Sequence, residues 1–136
     1  MSTKKFTEAG QDKQYFSKYL GIAFTELREG YTKAELDLRA ELLNRIGLMH
    51  GGVAYSLADS CMGGAVFSLL RDDQHCVAME VKINYLRPVT SGRLVAEARV
   101  AHCGHRVAVA TCEVHDGLGN MIAMATGSFY ISGLKA

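Results

Sequence analysis

Three chemically capable groups follow one another closely in this sequence: the amide of Asn44, the imidazole of His50 with two glycines behind it, and the carboxylate of Asp59. Asp59 is the only side chain within residues 51–70 that is charged at neutral pH. A carboxylate among apolar side chains is desolvated, which raises its pKa and makes it a useful base or nucleophile. The alternative interpretation is that Asp59 is a hydrogen-bonded structural group or faces water.

The Gly51-Gly52 pair suggests where negative charge would be held. Glycines at the start of a helix leave backbone N–H groups free at the positive end of the helix dipole, with no Cβ to block an approaching group. Such a position suits a developing oxyanion. A Gly-Gly pair alone is also typical of a simple turn, so the prediction depends on Asn44, His50 and Asp59 nearby.

Residues 51–70 are predicted to form the helix that carries these groups. The segment contains no proline and many residues that favour helix. On a helical wheel it is apolar on almost every side, which indicates a buried central helix.

The rest of the chain reads as strands. Residues 31–39 alternate between apolar and charged side chains, which indicates a half-exposed strand. Turn residues divide the remaining sequence, and two strands, one helix and four strands together indicate an α+β fold. We predict a single domain over 1–136, with a short helix at residues 9–19 in an N-terminal arm, 1–19. The predicted strands are 21–29, 31–39, 74–86, 93–103, 106–116 and 119–132.

Two motifs resemble a known family, the PaaI-type acyl-CoA thioesterases of the hotdog fold. The first motif comprises Asn44, Gly47, His50-Gly51-Gly52 and Leu57-Ala58-Asp59, and the second is Ile83-Asn84-Tyr85-Leu86-Arg87-Pro88. The resemblance covers roughly residues 20–132. It implies one long central helix wrapped by a curved antiparallel sheet of about six strands.

The resemblance also implies hydrolysis of an acyl-CoA thioester to the free acid and CoA. In that interpretation the Gly51 N–H holds the thioester carbonyl oxygen, and Asp59 attacks the carbonyl or activates a water. Asn44 orients the water or the acyl group. His50 shapes the turn or contacts the thioester, and a purely structural role for it stays open.

Further residues are expected to contact substrate. Gly52 and the strand residues Ala78 and Met79 fall at the expected acyl site. Ala78 occupies a position where relatives often carry a serine or threonine, so this chain lacks that hydroxyl. The phosphates of CoA are expected near three basic residues, unless these are ordinary surface charges: Arg87, His105 and Arg106.

The resemblance implies a homodimer built by pairing of sheet edges, with two dimers forming a homotetramer. Because Gly51 and Asp59 are about 12 Å apart along a helix, we expect each active site to use two chains.

Composition limits the other classes of function. The net charge of +1 gives no basic stripe for nucleic acid, and neither a membrane span nor a signal peptide is visible. The four cysteines are expected to be reduced thiols in a cytoplasmic protein. No cofactor is expected, and residues 102–105 (His-Cys-Gly-His) lack the spacing of a structural zinc site.

Two alternatives remain at this point. One is a dehydratase or hydratase on the same fold, which needs a histidine and an acid at one substrate. The other is a non-catalytic acyl-CoA binding protein, which needs the pocket but not Asp59.

Overall fold

A computed structural model describes residues 15–133 of the chain. It contains two α-helices, α1 (Tyr15–Leu20) and α2 (Gly51–Phe67), and a 3₁₀ turn at Ala40–Leu42. The predicted arm helix is therefore present from residue 15, and its residues 9–14 lie outside the described part.

Helix α2 forms where the sequence predicted it, and it ends three residues earlier. His50 is the N-cap, with extended backbone angles and a ring nitrogen that accepts from the Gly52 N–H. Near the other end, the Ser68 hydroxyl donates to the carbonyl of Ala65 and accepts from the Gly30 N–H, which joins the helix to the first hairpin.

The burial of α2 differs from the prediction. Nine of its 17 residues are buried, but the other eight lie mostly on one side and leave an open stripe along the helix. The helical wheel missed this stripe because small or weakly polar residues occupy it, and these look neutral in a sequence. The open stripe comprises Gly52, Tyr55, Ser56, Asp59, Ser60, Gly63 and Phe67.

Six antiparallel strands form one sheet with the order β1-β2-β4-β5-β6-β3. Helix α2 packs against one face of it, and the core fills the space between them. This confirms the predicted α+β hotdog fold, with strand bounds within two residues of those predicted. The strands are β1 (Ala23–Arg28), β2 (Tyr31–Asp37), β3 (Gln74–Tyr85), β4 (Arg93–Cys103), β5 (Val107–Asp116) and β6 (Met121–Gly133).

A β-bulge interrupts β3 at Met79. Ala78 pairs with the buried Phe129 of β6, whereas Glu80 pairs with Ser128, so Met79 has no ladder partner of its own. The pairing register of β3 with β6 therefore changes by one residue at the bulge. Ala78 and Val81 both pair with core-facing positions although they are three positions apart, an odd spacing, because the bulge adds one residue to this strand.

Helix α1 is fixed beside the open stripe of α2. The Ser17 and Ser60 hydroxyls are 3.1 Å apart, next to Asp59 in the sequence. The Arg39 guanidinium donates to the carbonyls of Tyr19 and Leu20, which closes the C-terminal end of the short helix.

Candidate active site

The loop before α2 holds the site residues in place. The N–H of Met49 donates to the Val89 carbonyl at 2.7 Å, and the N–H of His50 donates to the Leu42 carbonyl at 2.9 Å. These bonds fix the loop between the 3₁₀ turn and the segment that follows β3. The start of α2 therefore has a defined position relative to the end of β3.

Asn44 forms a tight turn with its own loop. Its Oδ1 accepts from the N–H groups of Ile46 and Leu48, at 3.0 and 3.1 Å. Gly47 completes the turn with a φ of +83°, which glycine adopts at little cost. Since two backbone donors fix Oδ1, the amide orientation is determined. The Nδ2 group keeps its two N–H donors, with no partner among residues 15–133.

His50 is held by a different bond. Its Nδ1 accepts from the Gly52 N–H at 2.9 Å. A neutral imidazole with Nδ1 as acceptor carries its proton on Nε2. This bond shows that His50 shapes the turn at the start of α2, and its contact with a thioester stays a prediction.

Gly51 presents a free N–H at the first position of α2. The first N–H groups of a helix have no acceptor within the helix. That of Gly52 is taken by His50, whereas that of Gly51 has no acceptor in the described part of the chain. The expected oxyanion donor is thus available at Gly51. The Gly52 N–H is taken and a Cβ at Gly52 would lie 3.0 Å from His50 Nδ1, so the expected contact of Gly52 with substrate stays a prediction.

Asp59 is half-buried on the open stripe, eight residues beyond Gly51. Burial raises the pKa of its carboxyl above the ordinary 3.8. Within residues 15–133 it has no hydrogen-bond or ion-pair partner that would offset this desolvation. An unpaired carboxylate with a raised pKa has the properties of a general base or a nucleophile.

A cavity of about 330 Å³ is lined by some of the predicted site residues. It brings Asn44, Gly51 and Arg87 together, but Asp59 is not among its lining residues. Tyr85, the last residue of β3, and the segment that follows it form one wall of the cavity. Its lining residues are Asn44, Leu48, Met49, Gly51, Tyr85, Leu86, Arg87, Pro88 and Val89.

Two predicted phosphate contacts lie elsewhere in the subunit. His105 and Arg106 are exposed in the turn between β4 and β5, and the Arg106 carbonyl accepts from the N–H of Ile131. That end of the sheet also holds the start of β3, where the Cys76 thiol contacts the carbonyl of Gly63 on α2. One subunit therefore does not bring His105 and Arg106 to the cavity.

Met79 is the bulge residue of β3 and Ala78 precedes it, and both are exposed. Ala78 pairs with a core-facing residue yet stays exposed, because the open stripe of α2 leaves this part of the sheet uncovered. The bulge was not predictable from strand alternation. The two residues lie on the edge strand of the sheet and do not line the cavity, so their contact with the acyl group stays a prediction.

Of the cavity residues that sequence reasoning did not assign to the site, Tyr85 makes a hydrogen bond to the helix start. Its phenol donates to the Gly51 carbonyl at 2.8 Å, across 34 residues of sequence. Its position in the second motif was visible, but nothing in the sequence indicated its contact with the helix start.

The state of the cysteines, possible metal ligands and possible membrane spans can also be read from the described residues. The four cysteines are free thiols. No group of three His, Cys, Asp or Glu side chains within residues 15–133 is arranged to hold a metal ion. Among the described helices, none is long and apolar enough to cross a membrane.

A six-stranded antiparallel sheet that curves around one long central helix is the hotdog fold. The sequence model of the thioesterase superfamily matches residues 46–123, and the chain belongs to this family. That membership confirms the enzyme class, a thioester hydrolase, that the resemblance implied.

Individual relatives agree with this assignment. A protein of Saccharolobus solfataricus that carries the name of an esterase, SSO1253, is 31% identical over 133 residues, covering 96% of this chain and 86% of its own. The structure of the conserved protein PA5202 from Pseudomonas aeruginosa has a TM-score of 0.87 and 36% identity, covering 93% of this chain and 100% of that one.

The structure of the E. coli PaaI protein from the phenylacetic acid degradation operon has a TM-score of 0.85 and 28% identity. It covers 92% of this chain and 89% of its own. This similarity confirms the PaaI-type resemblance.

Proposed function

We propose that this protein hydrolyses acyl-CoA thioesters to the free acid and CoA. One observation carries the proposal: the free N–H of Gly51 at the start of α2 is combined with the unpaired, half-buried carboxylate of Asp59 on the same helix. The first is a donor for a developing oxyanion, and the second is a base or nucleophile.

In the proposed reaction the thioester carbonyl oxygen accepts from the Gly51 N–H. The free Nδ2 donors of Asn44 orient the acyl carbonyl or the attacking water. Asp59 either removes a proton from water as it attacks the carbonyl carbon, or attacks directly to form a mixed anhydride that water then hydrolyses. In both routes the thiolate of CoA leaves and takes up a proton.

The two halves of this site come from two chains in our proposal. β3 is 12 residues long and has a single described neighbour in the sheet, β6. Its other edge exposes unpaired backbone groups and apolar side chains, among them Val77 (60% exposed) and Met79 (52%). Such an edge is normally covered, and the same strand of a second copy would continue the sheet.

Antiparallel pairing of two β3 strands would place the start of one strand beside the end of the other. The His105–Arg106 turn of one chain would then approach the cavity of its partner, which contains Arg87. This arrangement gives the three predicted phosphate contacts a common site, and it brings the partner's Asp59 toward Gly51. We propose a homodimer on this basis, with two dimers forming a homotetramer and the enzyme located in the cytoplasm, in agreement with its free thiols.

Release of free thiol from a panel of aromatic and straight-chain acyl-CoA esters tests the proposal. The wild type should hydrolyse at least one class. Asp59→Asn should lower kcat at least about 10²-fold, the low end for a positioned acid or base, while acyl-CoA binding persists. Asp72→Asn is the matched control, because Asp72 is exposed in the turn after α2.

The outcomes separate the alternative functions. Binding of acyl-CoA without thiol release by the wild type would indicate a non-catalytic binding protein. Loss of a double bond or of a hydroxyl from the acyl group, with the thioester intact, would indicate a hydratase or dehydratase. Full activity in Asp59→Asn would show that another group is the base or nucleophile.

A further inference from the structure

The peptide unit between Gly51 and Gly52 is held at both of its ends. Its carbonyl oxygen accepts from the Tyr85 phenol at 2.8 Å, and its N–H donates to Nδ1 of His50 at 2.9 Å. Two consecutive glycines are the most flexible backbone that a chain offers. Two side chains from different parts of the fold therefore supply the rigidity that this backbone lacks.

Tyr85 also accounts for the glycine at position 51. A Cβ atom added to Gly51 would lie 3.1 Å from both Cζ and Oη of Tyr85, which is tighter than nine in ten real Cβ contacts, so the tyrosine ring would have to shift by a few tenths of an ångström. Gly51 is not among the described glycines with positive φ, so its backbone conformation does not require glycine. The close approach of the tyrosine ring is what disfavours a side chain at this position.

The position of Tyr85 links this contact to the reaction. It is the last residue of β3, pairs with Ala123, and lines the cavity together with Asn44 and Arg87. Burial, followed by the neighbouring Tyr55, raises the pKa of the Tyr85 phenol. The phenol therefore keeps its proton at neutral pH and remains a donor to the carbonyl.

We propose that Tyr85 is a positioning residue of the thioester site, which holds the Gly51-Gly52 peptide so that the Gly51 N–H stays directed at the reacting carbonyl. The effect on catalysis rests on the function proposed above. Electrostatic stabilisation of an oxyanion depends on donors that are oriented before the reaction. Loss of the Tyr85 bond would let the Gly-Gly segment move and would lower the rate without removing the donor.

Tyr85→Phe tests the hydrogen bond, because it keeps the ring and removes only the hydroxyl. We expect kcat to fall about 3- to 10-fold, the effect of one hydrogen bond, with KM changed less than about twofold. Tyr130→Phe is the matched control, since Tyr130 lies on β6 and is 39% exposed. An unchanged kcat in Tyr85→Phe would overturn the catalytic part of the proposal.

Amide hydrogen exchange provides a readout that does not depend on activity. In Tyr85→Phe the Gly52 N–H should exchange about 3- to 10-fold faster than in the wild type, whereas Tyr130→Phe should leave it unchanged. Faster exchange in a protein that releases no thiol would support the contact and count against the proposed function. Unchanged exchange would overturn the positioning role.

A double variant tests whether the Tyr85 ring is what excludes a side chain at residue 51. Gly51→Ala should lose activity because its Cβ collides with Tyr85, and Gly51→Ala with Tyr85→Ala should be at least as active as Gly51→Ala alone. If the fold-loss of activity in the double variant instead equals the product of the losses in Gly51→Ala and Tyr85→Ala, the ring is not what excludes a side chain at residue 51.

Discussion

Gly51 and Asp59 lie on one continuous helix, eight residues apart, so that about 12 Å separates them along its axis. A free N–H and a carboxylate that act on the same carbonyl must both be about 3 Å from it. A single copy of α2 cannot provide this geometry. In the proposed dimer, pairing of the exposed β3 edges brings a second copy that supplies the missing half.

Two inactive variants, Asn44→Ala and Asp59→Ala, should therefore complement each other. In a mixed dimer one site collects both defects and the other is intact. After equal mixing and exchange of subunits, half of the dimers are mixed, and thiol release should recover to roughly a quarter of wild type.

This test requires Asn44→Ala to be nearly inactive alone, and mass spectrometry must confirm the exchange of subunits. Confirmed mixed dimers without recovered activity would mean that each site is built within one chain.

Asp59→Asn should increase stability at neutral pH. Because burial raises the pKa of Asp59 above 3.8, the folded protein holds this proton more tightly than the unfolded chain. Stability is therefore lost as the pH rises from 3.8 through the folded-state pKa, and it stays lost above that. Melting temperatures at several pH values should show an advantage of the variant at pH 7 that shrinks toward pH 4.

Asp37 is a control because its pKa is shifted in the opposite direction to that of Asp59. Its hydrogen bond from Arg93, at 2.8 Å, holds the pKa of the Asp37 carboxyl below its usual range. Asp37→Asn should therefore gain no stability at pH 7. A lower melting temperature for Asp59→Asn at pH 7 would show that the Asp59 carboxylate makes stabilising contacts.

Asn44→Asp separates the two functions of the Asn44 side chain. Aspartate keeps the oxygen that accepts from Ile46 and Leu48, so the turn and the melting temperature should be retained. It removes the Nδ2 donors and adds a negative charge where an oxyanion would develop. We expect kcat to fall about 10²-fold or more, the loss typical of a removed oxyanion donor. A fully active Asn44→Asp variant would restrict Asn44 to shaping the loop.

His50→Asn tests whether the imidazole has a chemical role beyond the helix cap. Asparagine is a good N-cap residue, so this variant should keep the wild-type stability, whereas His50→Ala should lose about 1 kcal/mol. Because Nδ1 is occupied by the Gly52 N–H, we expect kcat of His50→Asn to fall less than about tenfold. Unfolding in denaturant and thiol release measure the two effects, and a stable but inactive His50→Asn would assign the imidazole to the reaction.

The sequence by itself determined the helix α2, the strands and most of the candidate site residues. The alternation of residues 31–39, the proline-free segment 51–70 and the turn residues between strands are local patterns, and each corresponds to an element of the sheet or to α2. Asp59 was conspicuous because it is alone in an apolar segment. The family signature supplied the topology that local patterns leave open.

Only the tertiary structure decided how these groups are held and which are free. The bulge at Met79 depends on pairing with β6, the open stripe of α2 depends on where the sheet stops, and the Tyr85 bond joins residues 34 positions apart. The free N–H of Gly51 and the free amide of Asn44 are known only once every competing partner has a position. Sequence patterns report nearest neighbours along the chain, whereas these contacts depend on residues that folding alone brings together.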